Sequence, residues 1–225
     1  MVPAFQLGLT LTVALGSTTY GYCSSIIATT LGQPSFIHYF HLDTDSDANS
    51  LIGAVNGLFQ AGGLFGSLSS LYIPDKWGRK AALYIGAIIC VVGGTLQTGS
   101  VHIAMFLVAR LITRSIFLKR HFATKLFSHP GALVGLVPLY QSEVSPTHLR
   151  GFLVGLHGVM ICIGYTSASW IGVGFYFVQG NLSQWRGPLG FQILFPLVLL
   201  CALPFVPESP RWRKLTSVDT IALHG

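Results

Sequence analysis

Charge is what this sequence has least of. Only 9% of its 225 residues are Asp, Glu, Lys or Arg, where an ordinary soluble domain carries roughly 25%. A soluble globular fold is excluded on that ground. Its four cysteines, Cys23, Cys90, Cys162 and Cys201, are scattered with no CxxC pair, so neither a disulfide framework nor a thiolate metal site is indicated. Its eight histidines are dispersed, with His38 and His41 of "HYFH" the one close pair and no cysteine nearby. The arrangement offers no metal cluster and no nucleophile with its base, so the chain is not expected to be an enzyme or to hold a cofactor. No basic stretch precedes the first apolar run and no small-residue cleavage pattern follows it, so that run reads as a retained helix and not as a signal peptide.

Apolar length fills the space that charge leaves. With 51% hydrophobic residues, the chain offers several runs of about 20 residues, enough at about 1.5 Å per residue to cross a hydrocarbon core of about 30 Å. The expectation is an all-α integral membrane protein whose direct surroundings are the lipid bilayer. Six spans are predicted, at about 4–28, 50–73, 81–99, an interrupted one around 101–140, 151–178 and 187–206. Glycines within them, as in "NGLFQAGGLFGSL", suit close helix packing in lipid.

A formal charge of +6 would point to nucleic acid in a soluble protein, but here the cations sort by membrane side, and no nucleic-acid partner is expected. Lys76, Arg79, Lys80, Arg150, Arg211, Arg213 and Lys214 fall in alternate loops and in the tail. The intervening loops hold Arg186 and the acidic "DTDSD". The positive-inside bias therefore puts both termini in the cytoplasm and the sequon Asn181-Leu182-Ser183 outside.

Three motifs follow one another at helix ends. "LYIPDKWGRKAAL" (71–83) is a tight charged turn in which Gly78 permits a sharp bend and Asp75 lies within pairing reach of Arg79 or Lys80. It resembles the loop between the second and third helices of the major facilitator superfamily, with Lys76 for the usual Arg. "VPLYQSEVSPTHLRG" (137–151) is similar to the sugar-porter pattern closing the fourth helix, with Pro138, Tyr140, Glu143, Pro146, Arg150 and Gly151 in register. "VPESPRW" (206–212) resembles the block that closes the sixth.

The resemblance, running from about Tyr20 to Trp212, is to the N-terminal half of a fungal-type sugar porter. It implies a six-helix N-terminal bundle of the major facilitator fold, with the fourth helix interrupted by an insertion. It further implies sugar transport by alternating access, facilitated or proton-coupled, in a multi-pass plasma-membrane protein whose partners are a small-molecule sugar and, in symporters, protons. Carried over by position, Asp75, Arg79, Lys80, Arg110, Glu143, Arg150, Glu208 and Arg211 form the gating salt-bridge network. No substrate-binding residue is assigned, because Gly158 stands where many relatives place a Gln against the sugar. Cys23 occupies a position where proton-coupled members often carry Asp, and the clear spans contain no carboxylate, which favours facilitated diffusion. His157, beside Gly158, reads as a packing residue.

Two departures raise alternatives. The stretch "ARLITRSIFLKRHFATKLFSHPGALVG" carries Arg110, Arg114, Lys119, Arg120 and Lys125 where a span should run. Each cation at a span centre costs about 2.5 to 3.5 kcal/mol, against about 0.3 to 0.6 returned by a Leu, Ile, Phe or Val. With residues 114–130 set aside as an anomalous basic insertion, "VHIAMFLVARLIT" and "GALVGLVPLY" add to 23 residues, a proper span. The insertion is read either as translated intron or as a basic helix lying in the membrane interface. Residues 1–212 then form the transporter half and 213–225 a truncated cytoplasmic tail. A half-transporter inactive alone and a sugar sensor are the competing readings.

Overall fold

A computed structural model describes residues 4–42, 48–69, 78–114, 131–145, 150–178 and 182–208. Among these the regular structure is helical: α1 (Ala4–Leu31), α2 (Pro34–Tyr39), α3 (Ala48–Ser69), α4 (Arg79–Thr98), α5 (Ile103–Arg114), α6 (Gly131–Val144), α7 (Arg150–Tyr176), α8 (Ser183–Phe191) and α9 (Leu194–Ala202), the last followed by a 3-10 turn at Leu203–Phe205. By length and hydropathy, three of the described helical stretches suffice to cross a membrane: Arg79–Thr98, Arg150–Tyr176 and Ser183–Phe205. The helix α1 is 28 residues long but rich in hydroxyls, which lower its hydropathy. Several of these hydroxyls are satisfied within the helix, Thr12 and Thr19 donating to the carbonyls of Gly8 and Leu15 at 2.9 Å. Such back-bonding lets a Thr lie in lipid without an open donor.

The predicted sixth span is one rod with a joint. Pro196 lacks the N–H that would bond the carbonyl of Gln192, and the α-helical hydrogen-bond ladder lapses at Gln192–Ile193 between α8 and α9 while the backbone there stays helical. The predicted fourth span is represented by α5 and α6; the basic stretch between them, like the tail after Glu208, the "DTDSD" cluster and Asn181, lies outside the described residues.

The core divides into two stacked clusters. One gathers Leu9 and Val13 of α1, Ala82, Leu83, Ala87 and Cys90 of α4, Leu136, Val137 and Tyr140 of α6, and Leu199 of α9. The other gathers Tyr22 and Ile26 of α1, Phe36 of α2, Val55 of α3, Phe106 of α5, Ala168 of α7, and Trp185 and Leu189 of α8. The first cluster lies towards the end where α4 begins, called here the charged end. The second lies towards an aromatic end, where Phe36 and Trp185 meet edge to face at 5.6 Å between ring centroids. There the Arg186 guanidinium lies 4.9 Å from the Trp185 ring centre and donates to the Ser100 carbonyl at 3.1 Å.

Candidate functional site at the charged end

The site is built where α4 starts. Gly78, its N-cap, has φ +91° and ψ 155°, a region of backbone space held essentially by glycine. A Cβ there would stand 2.9 Å from Oε2 of Glu208. That carboxylate, 128 residues away in sequence, accepts the Lys80 backbone N–H on Oε1 at 3.0 Å. It satisfies one of the free donors at the helix start and places negative charge against the positive end of the helix dipole.

Arg79, the first residue of α4, reaches the last turn of α6. Its Nε donates to Glu143 Oε2 at 3.2 Å and its Nη2 to Oε1 at 3.1 Å. Both side chains are 4% exposed, so this is a buried, two-pronged pair of the kind a planar guanidinium makes with a carboxylate. The ammonium of Lys80 donates to the Pro204 carbonyl at 3.1 Å, and the Tyr140 hydroxyl to the Pro207 carbonyl at 2.7 Å. The three sequence motifs thus meet in space: Gly78, Arg79 and Lys80 from the first, Tyr140 and Glu143 from the second, Pro207 and Glu208 from the third.

Not all the sequence-predicted residues gather here. Arg150 is exposed at the first residue of α7. Arg110 is buried in α5 with its guanidinium 4.1 Å from the Phe59 ring centre, a cation–π contact that desolvation strengthens. It lies well along the bundle from Arg79, since Thr113, one turn nearer the charged end, packs on Gly93 of α4. Asp75 and Arg211 lie outside the described residues.

Sequence reasoning missed several contacts. Tyr22 donates to the Pro188 carbonyl at 2.9 Å and Gln33 to the Gly172 carbonyl at 3.0 Å. Gln97 donates to Thr113, and Gln192 donates to Gln97 at 3.4 Å, making a buried polar chain across three helices. A Gln inside an apolar run was the available signal, although nothing in a single sequence names its partner. His157, read as a packing residue, has Nδ1 2.7 Å from Ser17 Oγ on α1. Beside it, a side chain at Gly158 would meet open space.

Residues 9–219 match the family profile described as "Sugar (and other) transporter". The MFS-type transporter criB of Aspergillus cristatus is 38% identical over 205 residues, 91% of this chain and 40% of that protein. The sugar transporter STL1 of Saccharomyces cerevisiae is 29% identical over 213 residues, 91% of this chain and 35% of that protein. Among solved structures, the inward-open xylose transporter XylE from E. coli has a similar fold, with a TM-score of 0.74 at 24% identity, covering 92% of this chain and 49% of that one. The chain therefore spans less than half the length of these relatives.

Proposed function

Because the chain belongs to the sugar (and other) transporter family, we propose that it takes part in moving a sugar across a lipid bilayer by alternating access, with the charged end as its cytoplasmic gate. The observation that carries the reading is the buried Arg79–Glu143 pair at 3.1 Å, joined beside it by the Glu208 cap on α4. Removing one partner of such a buried pair costs about 3 to 5 kcal/mol, whereas the pair as a whole is close to neutral against an apolar replacement. Charges poised in that way hold one arrangement firmly and can exchange partners when helices rock against each other.

The excess of Lys and Arg at this end supports a cytoplasmic location. Cys23, buried in α1 where proton-coupled relatives often carry Asp, supports facilitated diffusion. The test is uptake of labelled hexoses and pentoses by cells stripped of their own carriers, with and without a protonophore. Saturable uptake insensitive to the protonophore is expected. A correctly inserted protein with no uptake of any of these sugars would contradict the proposal.

A further inference from the structure

His157 lies at mid-depth in the bundle. Its partner Ser17 stands on α1 between Val13, which belongs to the core cluster at the charged end, and Tyr22, which belongs to the one at the aromatic end. Seven residues into α7, the imidazole is about 10 Å along the helix from Arg150 at its start, inside the span.

The two ring nitrogens have different surroundings. Nδ1 is 2.7 Å from Ser17 Oγ, and that hydroxyl is wholly buried, with no other hydrogen bond among the described residues. Were Nδ1 the donor, the hydroxyl proton would be buried without an acceptor, a cost that the reverse arrangement avoids. Ser17 therefore donates to Nδ1, and the proton of the neutral ring sits on Nε2. Nε2 has no hydrogen-bond partner among the described residues and is not among their buried polar atoms, so it reaches the surface of the bundle.

Neighbouring hydroxyls on α7 close on their own helix: Thr166, Ser167 and Ser169 donate to the carbonyls of Cys162, Ile163 and Tyr165 at 2.9, 2.7 and 3.0 Å. Such groups can lie in lipid. The outward N–H of His157 closes on nothing in its own helix, and an N–H left open to hydrocarbon is strongly unfavourable. It therefore faces a polar path. The flank beside the ring is clear, since a Cβ at Gly155 or Gly158 would meet nothing within 4 Å, whereas one at Gly172, further along α7, would lie 2.6 Å from the Thr29 Cβ.

From the fixed tautomer, the outward donor and the clear flank, we infer that His157 is a specificity-determining residue that donates from Nε2 to one hydroxyl oxygen of the transported sugar, with Ser17 positioning the ring. A neutral N–H suits an uncharged cargo, because a hydrogen bond of ordinary strength both holds and releases it. This role rests on the transport reading above and adds to it a side chain that touches the cargo.

The test is uptake of the best-carried hexose or pentose and its singly deoxygenated derivatives, in cells stripped of their own carriers. The full chain is compared with His157→Leu, His157→Gln and Ser17→Ala at matched surface expression. In the full chain, one deoxy derivative should have a KM about fivefold above that of the parent sugar, the loss of one hydrogen bond. His157→Leu should raise the KM of the parent by about the same factor, leave Vmax within about twofold, and lose the discrimination. His157→Gln, which returns an N–H near the place of Nε2, should restore it, and Ser17→Ala should weaken it. A fall in Vmax with the discrimination kept, as a packing role gives, would overturn the inference. If His157→Leu does not reach the surface, Ser17→Ala decides: the unaltered deoxy pattern in that variant would overturn the inference. A full chain that carries no sugar would overturn the transport reading and this role with it, whereas normal uptake by the full chain with unaltered kinetics in His157→Leu would overturn this role alone.

Discussion

Gly78 shows how a single residue sets the charged end. At φ +91° its backbone is barred to other residues, and the Glu208 carboxylate occupies the space a methyl would need. Gly78→Ala should lower stability by about 1 to 3 kcal/mol from backbone strain, read as a fall in the melting temperature of the detergent-solubilised protein. Gly158→Ala, with open space and ordinary helical backbone, should leave that temperature unchanged or slightly raised. At this scale the sequence marked Gly78 as a turn and picked out Arg79, Glu143 and Glu208 by motif. It did not pair them, because the contacts join residues 64 and 128 positions apart. Arg110 was grouped with these charges by motif, whereas it lies on Phe59 some way along the bundle, since a motif records chain order and not depth.

At the scale of elements, the most extensive packing among the described helices is between α1 and α7. It rests on glycines: a Cβ at Gly164 would lie 2.8 Å from the Tyr22 amide nitrogen and 3.0 Å from the Gly21 Cα. The backbones touch, as small residues allow in lipid, where packing and not hydrophobicity holds helices together. Gly164→Leu should force the two helices apart and destabilise the bundle by more than the 1 to 3 kcal/mol typical of overpacking, seen as loss of monodisperse protein on size exclusion. Normal yield and melting would show that the seam is dispensable.

Span positions were legible because apolar length is a strong one-dimensional signal, and the six predicted runs correspond to α1, α3, α4, the α5–α6 pair, α7 and the α8–α9 rod. The joint at Gln192–Ile193 was not foreseen, because the sequence reading weighed apolar length and passed over Pro196, whose missing N–H explains it. The small helix α2 was missed because its six residues are too short for periodicity to register. What fixes it is the aromatic contact of Phe36 with Phe106 and Trp185.

At the scale of the whole molecule, the role proposed for the buried charge pair between α4 and α6 is that of part of a transport gate. A structural tie and a gate make different demands: both need opposite charges, but a gate must also open, so its strength has to match that of its alternative partners. Sequence alone indicated the family and the end of the bundle where such a gate would stand. It could not show that three distant motifs share one small volume, which is what gives the pair its burial.

The most direct test compares sugar uptake by Arg79→Glu, Glu143→Arg and the exchanged double variant, each at matched surface expression. Each single variant leaves two like charges buried side by side and should reduce uptake at least tenfold, while the exchange, by restoring an opposite pair, should recover a substantial part of it. Single variants that transport normally, or an exchanged pair no better than either alone, would contradict the account.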